Sequence, residues 1–456
     1  MKKKKTLFVI IALALVFAVV VLLSTSHLLL TTNAENDWTV EHISPANRGM
    51  AISNDGSLWS WWGRPDPDGN HPISDPLKLM ENVSQVIDRG DVLILTEDGI
   101  LLEMRNFYDS WRSRQISDMD FDGVERNKEL EFVEIMDDVI RFSADGRKTA
   151  AIRSDGSLWV WEGIASRIEA FMFSEQEDID ALLEQNPHWV DYDYVGPLRI
   201  LENVRFISDS AEAAITYDNS LWTWGRNNDG QIGDGTTIPR IAPIKIMDDV
   251  RYVTGSFNKL AIRNDGTLWS WGRNYTGQVG NGNTRDRHTP IQILNDIQQA
   301  FTSGSVSMAI RNDGTLWAWG DNSFGNVGNG STVSSIVAPR KIMDDVLYAV
   351  PGNYFEYPSF AIRSDGSLWA WGNNWFGQIG DGTRINRLRP VRIMDNVVYV
   401  SASELVNIAV QIDGSLWVWG GGYSEILQRV HNDASIGTRP IRVMENVRLS
   451  ILDDDD

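Results

Sequence analysis

The chain has 456 residues, of which 42% are hydrophobic and 10% aromatic, and it contains no cysteine. The lack of cysteine excludes disulfides, thiolate metal ligands and a cysteine nucleophile. The formal net charge of −21 describes an acidic surface that repels a phosphate backbone, so we expect no nucleic-acid partner.

The N-terminus has the pattern of an export segment. The basic residues Lys2–Lys5 precede 17 uninterrupted apolar residues, Leu7–Leu23. This pattern predicts that residues 1–34 are a cleaved signal peptide or, if uncleaved, a single membrane anchor with its lysines inside. Either alternative places residues 35–456 at the cell surface or outside the cell, and contact with a membrane is then confined to the N-terminal segment.

From residue 35 onward, one pattern recurs along the chain. A core of the type Asp-Gly-Ser/Thr-Leu-Trp-x-Trp, or a variant of it, begins at Asp55, Asp98, Asp155, Asp218, Asp265, Asp313, Asp365 and Asp413. A second signature, such as PIKIMDDV, follows each core, and successive cores lie 43 to 63 residues apart. Repeats of this length are supersecondary units that stack or close into a ring.

Each unit has the pattern of four strands. In the unit from Val250 to Asn295, the strand-like stretches are VRYVTGS, KLAIRND, TLWSWG and PIQIL, with turn residues between them. Asp-Gly between the second and third strands predicts a type I′ hairpin, and proline at the start of the fourth strand fits an outer edge. The sequence therefore predicts an all-β fold, a β-propeller of four-stranded antiparallel blades with eight repeat units.

The tryptophans and glycines of the repeat are predicted to build the blades. Fourteen of the 19 tryptophans fall in Trp-x-Trp pairs, whose members share one strand face and can pack against the neighbouring blade. This reading weakens the idea of a carbohydrate-binding surface. The loops of the type Gly-Gln-x-Gly-x-Gly are predicted to be tight turns, because the next predicted element is a strand and not a phosphate-binding helix.

The second unit carries an insertion at about residues 105–130 that resembles a calcium loop. Its sequence DMDFDGVERNKE offers oxygen ligands at the required spacing from Asp118, Asp120, Asp122, the Val124 carbonyl and Glu129. The following segment reads as a strand and not as the second helix of a calcium-binding hand. Bound Ca²⁺ and a plain acidic surface loop both remain open.

The third unit carries an insertion at residues 164–195. Ser174 and Glu177 form a capping box before a short apolar pattern, which predicts a surface helix. Such a helix is either a lid over the blade edge or an arm that contacts a partner.

Aromatic residues change from unit to unit in the loops after the third strand. The candidates for partner binding are Tyr275, Phe324, Trp375, Phe376 and Tyr423. Large aromatic side chains dominate protein-binding hot spots, although they would also serve to cover the blade end. The sequence contains none of the usual nucleophile, zinc or phosphate-loop motifs, and its histidines are scattered, so we expect no catalytic residue and no required cofactor.

Three lines of sequence carry a family resemblance: LWTWGRNNDGQIGDG from Leu221, LWSWGRNYTGQVGNG from Leu268 and LWAWGNNWFGQIGDG from Leu368. They resemble the repeat of the regulator of chromosome condensation family, and the resemblance extends from about Trp38 to Val447. It implies a propeller, usually of seven blades, so seven is the alternative to the eight units counted here. We expect the C-terminal VRLSIL to help closure by pairing into the first blade.

The resemblance also bears on function. Exported members of the family are implied to act as protein-binding rings, some as inhibitors of secreted enzymes. This favours a non-catalytic secreted or cell-surface module that binds a protein through its loop rim. A glycan-binding or glycan-acting propeller is the alternative. Guanine-nucleotide exchange is not expected, because an exported protein does not meet a cytosolic or nuclear GTPase.

Overall fold

The structure of the chain is a computed structural model. It describes residues 29–32, 38–44, 48–53, 56–62, 77–88, 92–105, 131–144, 148–162, 197–352, 357–402, 407–420, 437–444 and 447–450. The regular secondary structure of these residues consists of β-strands. None of them belongs to a helix long and apolar enough to cross a membrane.

The strands of the first four blades follow one another along the chain. Blade 1 contains β2 (Trp38–Ser44), β3 (Arg48–Ser53), β4 (Leu58–Trp62) and β5 (Leu77–Met80). Blade 2 contains β6 (Val83–Asp88), β7 (Val92–Thr96), β8 (Leu101–Arg105) and β9 (Glu131–Met136). Blade 3 contains β10 (Val139–Ala144), β11 (Lys148–Arg153), β12 (Leu158–Glu162) and β13 (Leu198–Leu201). Blade 4 contains β14 (Val204–Ile207), β15 (Ala213–Thr216), β16 (Leu221–Gly225) and β17 (Arg240–Met247).

The last four blades repeat this arrangement. Blade 5 contains β18 (Val250–Thr254), β19 (Asn258–Arg263), β20 (Leu268–Gly272) and β21 (Arg287–Leu294). Blade 6 contains β22 (Ile297–Thr302), β23 (Val306–Arg311), β24 (Leu316–Asp321) and β25 (Ser335–Met343). Blade 7 contains β26 (Val346–Val350), β27 (Ser359–Arg363), β28 (Leu368–Gly372) and β29 (Arg387–Met394). Blade 8 contains β30 (Val397–Ala402), β31 (Asn407–Gln411), β32 (Leu416–Trp419) and β33 (Ile441–Met444).

Within the described residues there are eight four-stranded antiparallel sheets, and in each one the spatial order of the strands equals their order in the chain. This confirms the predicted β-propeller class and its eight units. The first strands of neighbouring blades approach one another, as β2 and β6, β18 and β22, and β26 and β30 do, so they form the inner side. The fourth strands, which carry the prolines, lie at the outer edge of each sheet.

The antiparallel order gives the propeller two faces. The loops between first and second strands and between third and fourth strands emerge together, and we call this side the loop face. The hairpin turns between second and third strands lie on the opposite side with the links from one blade to the next, and we call it the turn face. Any side chain at a connection is thereby assigned to one face.

The Asp-Gly hairpins differ in detail from the predicted type I′ turn. In blade 5, Gly266 has a φ of 79° and Asp265 has no positive φ. The Gly266 N–H donates to the Arg263 carbonyl at 2.9 Å, and the Arg263 N–H donates to the Thr267 carbonyl at 3.0 Å. The type I′ prediction is therefore wrong, because the turn is a three-residue loop with only its glycine in the left-handed region.

The aspartate of these turns acts through the hydrogen bonds of its side chain and not through its backbone conformation. The Asp265 carboxylate accepts hydrogen bonds from the backbone N–H and the hydroxyl of Thr267, at 2.9 and 2.6 Å. The hydroxyl in turn accepts from Nε1 of Trp269 at 3.0 Å. These hydrogen bonds, first that of the Thr267 hydroxyl, hold the pKa of Asp265 below its usual value. The turn and the first tryptophan of the pair are thus fixed together.

The second tryptophan of each pair joins one blade to the next. Its Nε1 donates to a backbone carbonyl of the preceding blade in four places: Trp271 to Gln231 at 3.0 Å, Trp319 to Gln278 at 2.8 Å, Trp371 to Asn326 at 2.8 Å, and Trp419 to Gln378 at 2.7 Å. These four indoles are at most 1% exposed. The prediction of a tryptophan core is confirmed for them, whereas the described first tryptophans, such as Trp269, are only half-buried.

The C-terminal strand β34 (Val447–Ser450) does not enter the sheet of the first blade as predicted. It pairs antiparallel with β1 (Leu29–Thr32) in a separate two-stranded sheet, with Leu29 opposite Ser450 and Thr32 opposite Val447. Both strands lie against β2 of blade 1. The partner of the C-terminal strand therefore comes from the segment that the sequence predicts as an export signal.

Candidate functional site: an aromatic rim on the loop face

A buried asparagine organises the loop between the third and fourth strands in blades 4 to 7, at Asn227, Asn274, Asn322 and Asn374. In blade 7, Nδ2 of Asn374 donates to the carbonyls of Thr383 and Ile385, both at 3.1 Å. Its Oδ1 accepts from the N–H of Ile379 at 2.9 Å. One side chain therefore closes the loop from inside, so the residues that follow it are held in a fixed backbone conformation.

The two positions after each buried asparagine vary between blades, and in blades 5 and 7 they carry exposed aromatic residues. Tyr275 is 59% exposed, Trp375 57% and Phe376 41%. Phe324 is half-buried and meets Trp375 edge-on, with ring centroids 5.1 Å apart. The structure thus brings Phe324 and Trp375 together across blades 6 and 7, on the same face as Tyr275. We call Tyr275, Phe324, Trp375 and Phe376 the aromatic rim; the fifth predicted residue, Tyr423, lies outside the described residues.

An arginine supports the rim where blades 4 and 5 meet. The Arg273 guanidinium bonds to the Asp229 carboxylate of the blade 4 loop, with Nε 2.8 Å from Oδ2. It also stacks over the Phe257 ring, 3.9 Å from the centroid, and lies 5.4 Å from the centroid of Tyr275. Arginine binds a carboxylate and an aromatic face together because its guanidinium is planar. Tyr275 is consequently anchored to two blades before any partner binds.

A second ion pair fixes the base of the loop in blade 7. Nε of Arg387 donates to Oδ2 of Asp381 at 2.6 Å, and the N–H and hydroxyl of Thr383 donate to Oδ1 at 2.9 and 2.7 Å. Burial alone would raise the pKa of Asp381, but the hydrogen bonds from Thr383 and Arg387 outweigh it and lower the pKa. Asp381 is therefore ionised at neutral pH, and the ion pair holds the loop that carries Trp375 to the fourth strand.

Comparison with known proteins agrees with this geometry. Residues 218–255, 265–310, 313–354 and 365–410 match the profile of the regulator of chromosome condensation (RCC1) repeat. These four segments are RCC1-like repeats. The matched segments are the ones that carry the buried asparagines and the aromatic rim. No curated protein matches the chain.

Solved structures similar to this RCC1-like chain share little sequence with it. Yeast RCC1 (Prp20) bound to Kap60 is 16% identical, with 67% of this chain and 75% of that chain covered and a TM-score of 0.48. Human WBSCR16 is 17% identical, with 73% and 93% covered and a TM-score of 0.49. Likeness at this level carries no argument about binding or activity.

The RCC1-like ring also has aromatic residues on its inner side that sequence reasoning did not single out. Phe206 and Tyr252 lie 5.7 Å apart between ring centroids, and Phe301 and Tyr348 lie 5.5 Å apart. The pKa of Tyr348 is raised, first by burial and then by Tyr399, Tyr252 and Asp209. Phe206, Tyr252 and Tyr348 share a position two residues after the valine that opens the first strand, and this recurrence was the available sequence signal; Phe301 lies four residues after Ile297.

The candidate calcium loop of the RCC1-like chain, with Asp118, Asp120, Asp122, Val124 and Glu129, lies outside the described residues. So does the helix predicted from Ser174. Both insertions connect a third strand to a fourth, β8 to β9 and β12 to β13, so they join their blades at the loop face. Among the residues that the structure does describe, no three acidic or histidine side chains are grouped as a metal site would need.

Proposed function

We propose that this RCC1-like propeller is a non-catalytic binding module that holds a protein partner on its loop face. The observation that carries the proposal is the aromatic rim, in which exposed aromatic side chains of blades 5 and 7 and the half-buried Phe324 between them stand on loops that are held from inside. Exposed Tyr, Trp and Phe on a rigid support are typical anchors of protein interfaces.

Rigidity of the rim favours binding. Arg273 and the buried asparagines fix the loops before a partner arrives, so little conformational entropy is lost on association. The Asp229–Arg273 pair at the border of the rim adds polar contacts around the aromatic anchors. An apolar centre with a polar border is the usual composition of a protein interface.

The N-terminal sequence supports a role at the cell surface or outside the cell. The proposal needs no cofactor; calcium at the loop of residues 118–129 would at most shape the loop face. If residues 1–34 stay attached, they tether the module to a membrane.

The test is affinity capture from envelope and culture fractions with the full chain, with and without calcium, analysed by mass spectrometry. The rim variant carries Tyr275→Ala, Phe324→Ala, Trp375→Ala and Phe376→Ala. The matched control carries Ile140→Ala and Ile412→Ala, which remove exposed apolar side chains, 57% and 76% accessible, from the turn face.

The proposal expects one protein in stoichiometric amount with the parent and the control, and its loss with the rim variant. Equal retention by the rim variant would refute the rim, and retention of nothing by the parent would refute the proposed function. Binding in a glycan array, lost in the rim variant, would instead support the glycan-binding alternative.

A further inference from the structure

On the turn face, an arginine ends the second strand in blades 3, 5, 6 and 7, at Arg153, Arg263, Arg311 and Arg363. In blade 5, Nε of Arg263 donates to the Asp248 carbonyl at 3.2 Å, and Nη2 donates to the Asp249 carboxylate at 3.0 Å. Blade 7 repeats these contacts with Asp344 and Asp345 at 3.1 and 2.8 Å. The guanidinium thus joins its strand to the link that enters the blade.

In blade 6 the arginine at this position covers the first tryptophan of the pair. The Arg311 guanidinium lies 4.5 Å from the ring centroid of Trp317. Across these blades the guanidinium therefore has three kinds of neighbour, which together we call the guanidinium nest: a backbone carbonyl and a carboxylate at the link in blades 5 and 7, and an indole face in blade 6. Each of these three groups interacts favourably with a planar cation.

Blade 4 lacks the arginine, and at its link Asn203 stands where blades 5 and 7 have the pairing carboxylates Asp249 and Asp345. Thr216 stands at the position of the arginine, and a cavity of about 830 Å³ opens there. The cavity is lined by Arg199, Ile200, Leu201, Glu202, Asn203, Thr216, Tyr217, Asp218 and Trp222. Glu202 and Asn203 form the link that enters blade 4, and Trp222 is the first tryptophan of its pair. The cavity therefore keeps the indole and one link carboxylate, that of Glu202, which stands at the position from which Asp137 binds Arg153 in blade 3.

The indole of Trp222 differs from its counterparts in a second way. Its Nε1 is buried and makes no hydrogen bond, whereas Trp269 and Trp317 donate to the hydroxyl two residues before them, both at 3.0 Å. The corresponding hydroxyl, that of Ser220, instead donates to Asp248 Oδ1 at 3.2 Å. Trp222 is thus the described first tryptophan that lacks both a covering arginine and this hydrogen bond.

Two further residues make the cavity suitable for a cation. Tyr217 is 65% exposed where blades 3, 5, 6 and 7 have a serine or asparagine, so an additional aromatic ring stands at its edge. The Thr216 hydroxyl donates to the Asp218 carboxylate at 2.5 Å, and hydrogen bonds, this one first, lower the pKa of Asp218. The cavity therefore has an ionised carboxylate and two aromatic rings.

Arg199 does not prevent a second cation from binding. It is paired with Glu202 at 2.9 Å. The same pair three residues apart occurs as Lys245–Asp248 in blade 4, directly before the link that the arginine of blade 5 binds. In blade 5 the guanidinium binds the carbonyl of the paired Asp248 and the carboxylate of Asp249. In blade 4 an incoming guanidinium would share the Glu202 carboxylate with Arg199, which the two oxygens of a carboxylate allow.

We propose that the cavity between blades 3 and 4 binds a guanidinium group, supplied by an arginine side chain of a partner polypeptide. The incoming group takes the place that Arg263 and Arg363 take in their own blades. It meets the Glu202 carbonyl, the carboxylates of Glu202 and Asp218, and the face of Trp222. The acidic chain, with a net charge of −21, draws such a cation toward the site.

The direct test titrates the full-length protein with acetyl-arginine methylamide, using calorimetry and the indole N–H resonance of Trp222, assigned with Trp222→Phe. We expect binding with Kd on the order of 1 mM, as for a small ligand held by a few exposed contacts, and a shifted Trp222 resonance. The neutral citrulline analogue should bind at least ~10-fold more weakly, since it keeps the shape and loses the charge. Free arginine serves as the other arm: tighter binding of free arginine than of the capped form would overturn a polypeptide source.

Thr216→Arg provides the decisive variant, because it restores the residue that four other blades use. It should abolish binding of acetyl-arginine methylamide and leave Tm unchanged or higher, which separates a filled site from a misfolded one. Adding Arg363→Thr to that variant should open the equivalent cavity in blade 7 and restore binding. Undiminished binding by Thr216→Arg, or a Trp222 resonance that does not move in the parent, refutes the proposal. The aromatic rim lies on the opposite face, so the rim variant should bind the probe like the parent.

Discussion

The junction between blades makes a quantitative prediction at two glycines of one loop. Gly280 and Gly282 both lie in the left-handed region, with φ of 84° and 89°. A Cβ atom at Gly280 would lie 2.7 Å from Nε1 of Trp319, which is fully buried, whereas a Cβ at Gly282 would meet no atom within 4 Å. Alanine at either site carries the same backbone cost of about 1–2 kcal/mol. Gly280→Ala should cost a further ~1–3 kcal/mol, because the indole cannot move without losing its hydrogen bond to the Gln278 carbonyl.

The assay is urea denaturation followed by tryptophan fluorescence and circular dichroism for the parent and both variants. The informative quantity is the difference between the variants, since the shared backbone cost cancels and no absolute free energy of a large repeat protein is needed. Gly282→Ala should unfold at slightly lower urea than the parent, and Gly280→Ala at clearly lower urea. If the two variants unfold together, the indole contact does not limit the space at Gly280 and the argument for a close-packed junction fails.

Two other predictions concern charge. Glu212 is 4% exposed and pairs with Lys148 and, at 3.9 Å, with Lys259. Because Glu212→Gln would leave the buried lysines without their counter-charge, it should lower the free energy of unfolding by about 3–5 kcal/mol in a denaturant titration. An unchanged free energy of unfolding would show that the lysines are solvated. Hydrogen bonds from Thr315, first that of its hydroxyl, lower the pKa of Asp313, so its stabilising effect should be present above pH ~4 and be lost as pH falls through the lowered pKa. The gap in Tm between the parent and Asp313→Asn should accordingly close in acid, and a gap that is constant with pH would contradict this sign.

The sequence predicts accurately those features of a blade that depend on residues close to one another in the chain. The eight units, the edge position of the prolines and the burial of Trp271 follow from strand alternation and spacing, and the structure agrees. The Asp-Gly turns were mispredicted because a type I′ turn and a three-residue loop both use glycine after aspartate, and only the pairing of Arg263 with Thr267 separates them. The strand pattern of a single blade does not predict the cavity beside Trp222, because the cavity depends on the length of one side chain: Thr216 is too short to make the contacts that Arg263 makes in blade 5. Comparing the last residue of each second strand would have found it.

The aromatic rim positions can vary in sequence because their loops are held by other residues, whose side chains bind the loop backbone. The Gln278 side chain accepts from the N–H of Thr276 at 2.9 Å, and that of Gln378 accepts from the N–H of Phe376 at 2.8 Å. Each glutamine therefore fixes the backbone of the loop that carries a rim residue, directly at Phe376 in blade 7 and next to Tyr275 in blade 5. The tryptophan of the next blade binds the carbonyl of the same residue, so junction and rim depend on different atoms of one glutamine.

Blade 6, where asparagine replaces that glutamine at Asn326, keeps the junction to Trp371, which needs only a carbonyl. Its loop is held by Asp321 instead, which accepts from the N–H of Ser323 at 3.2 Å. A change of partner can therefore be accommodated at the rim without weakening the ring.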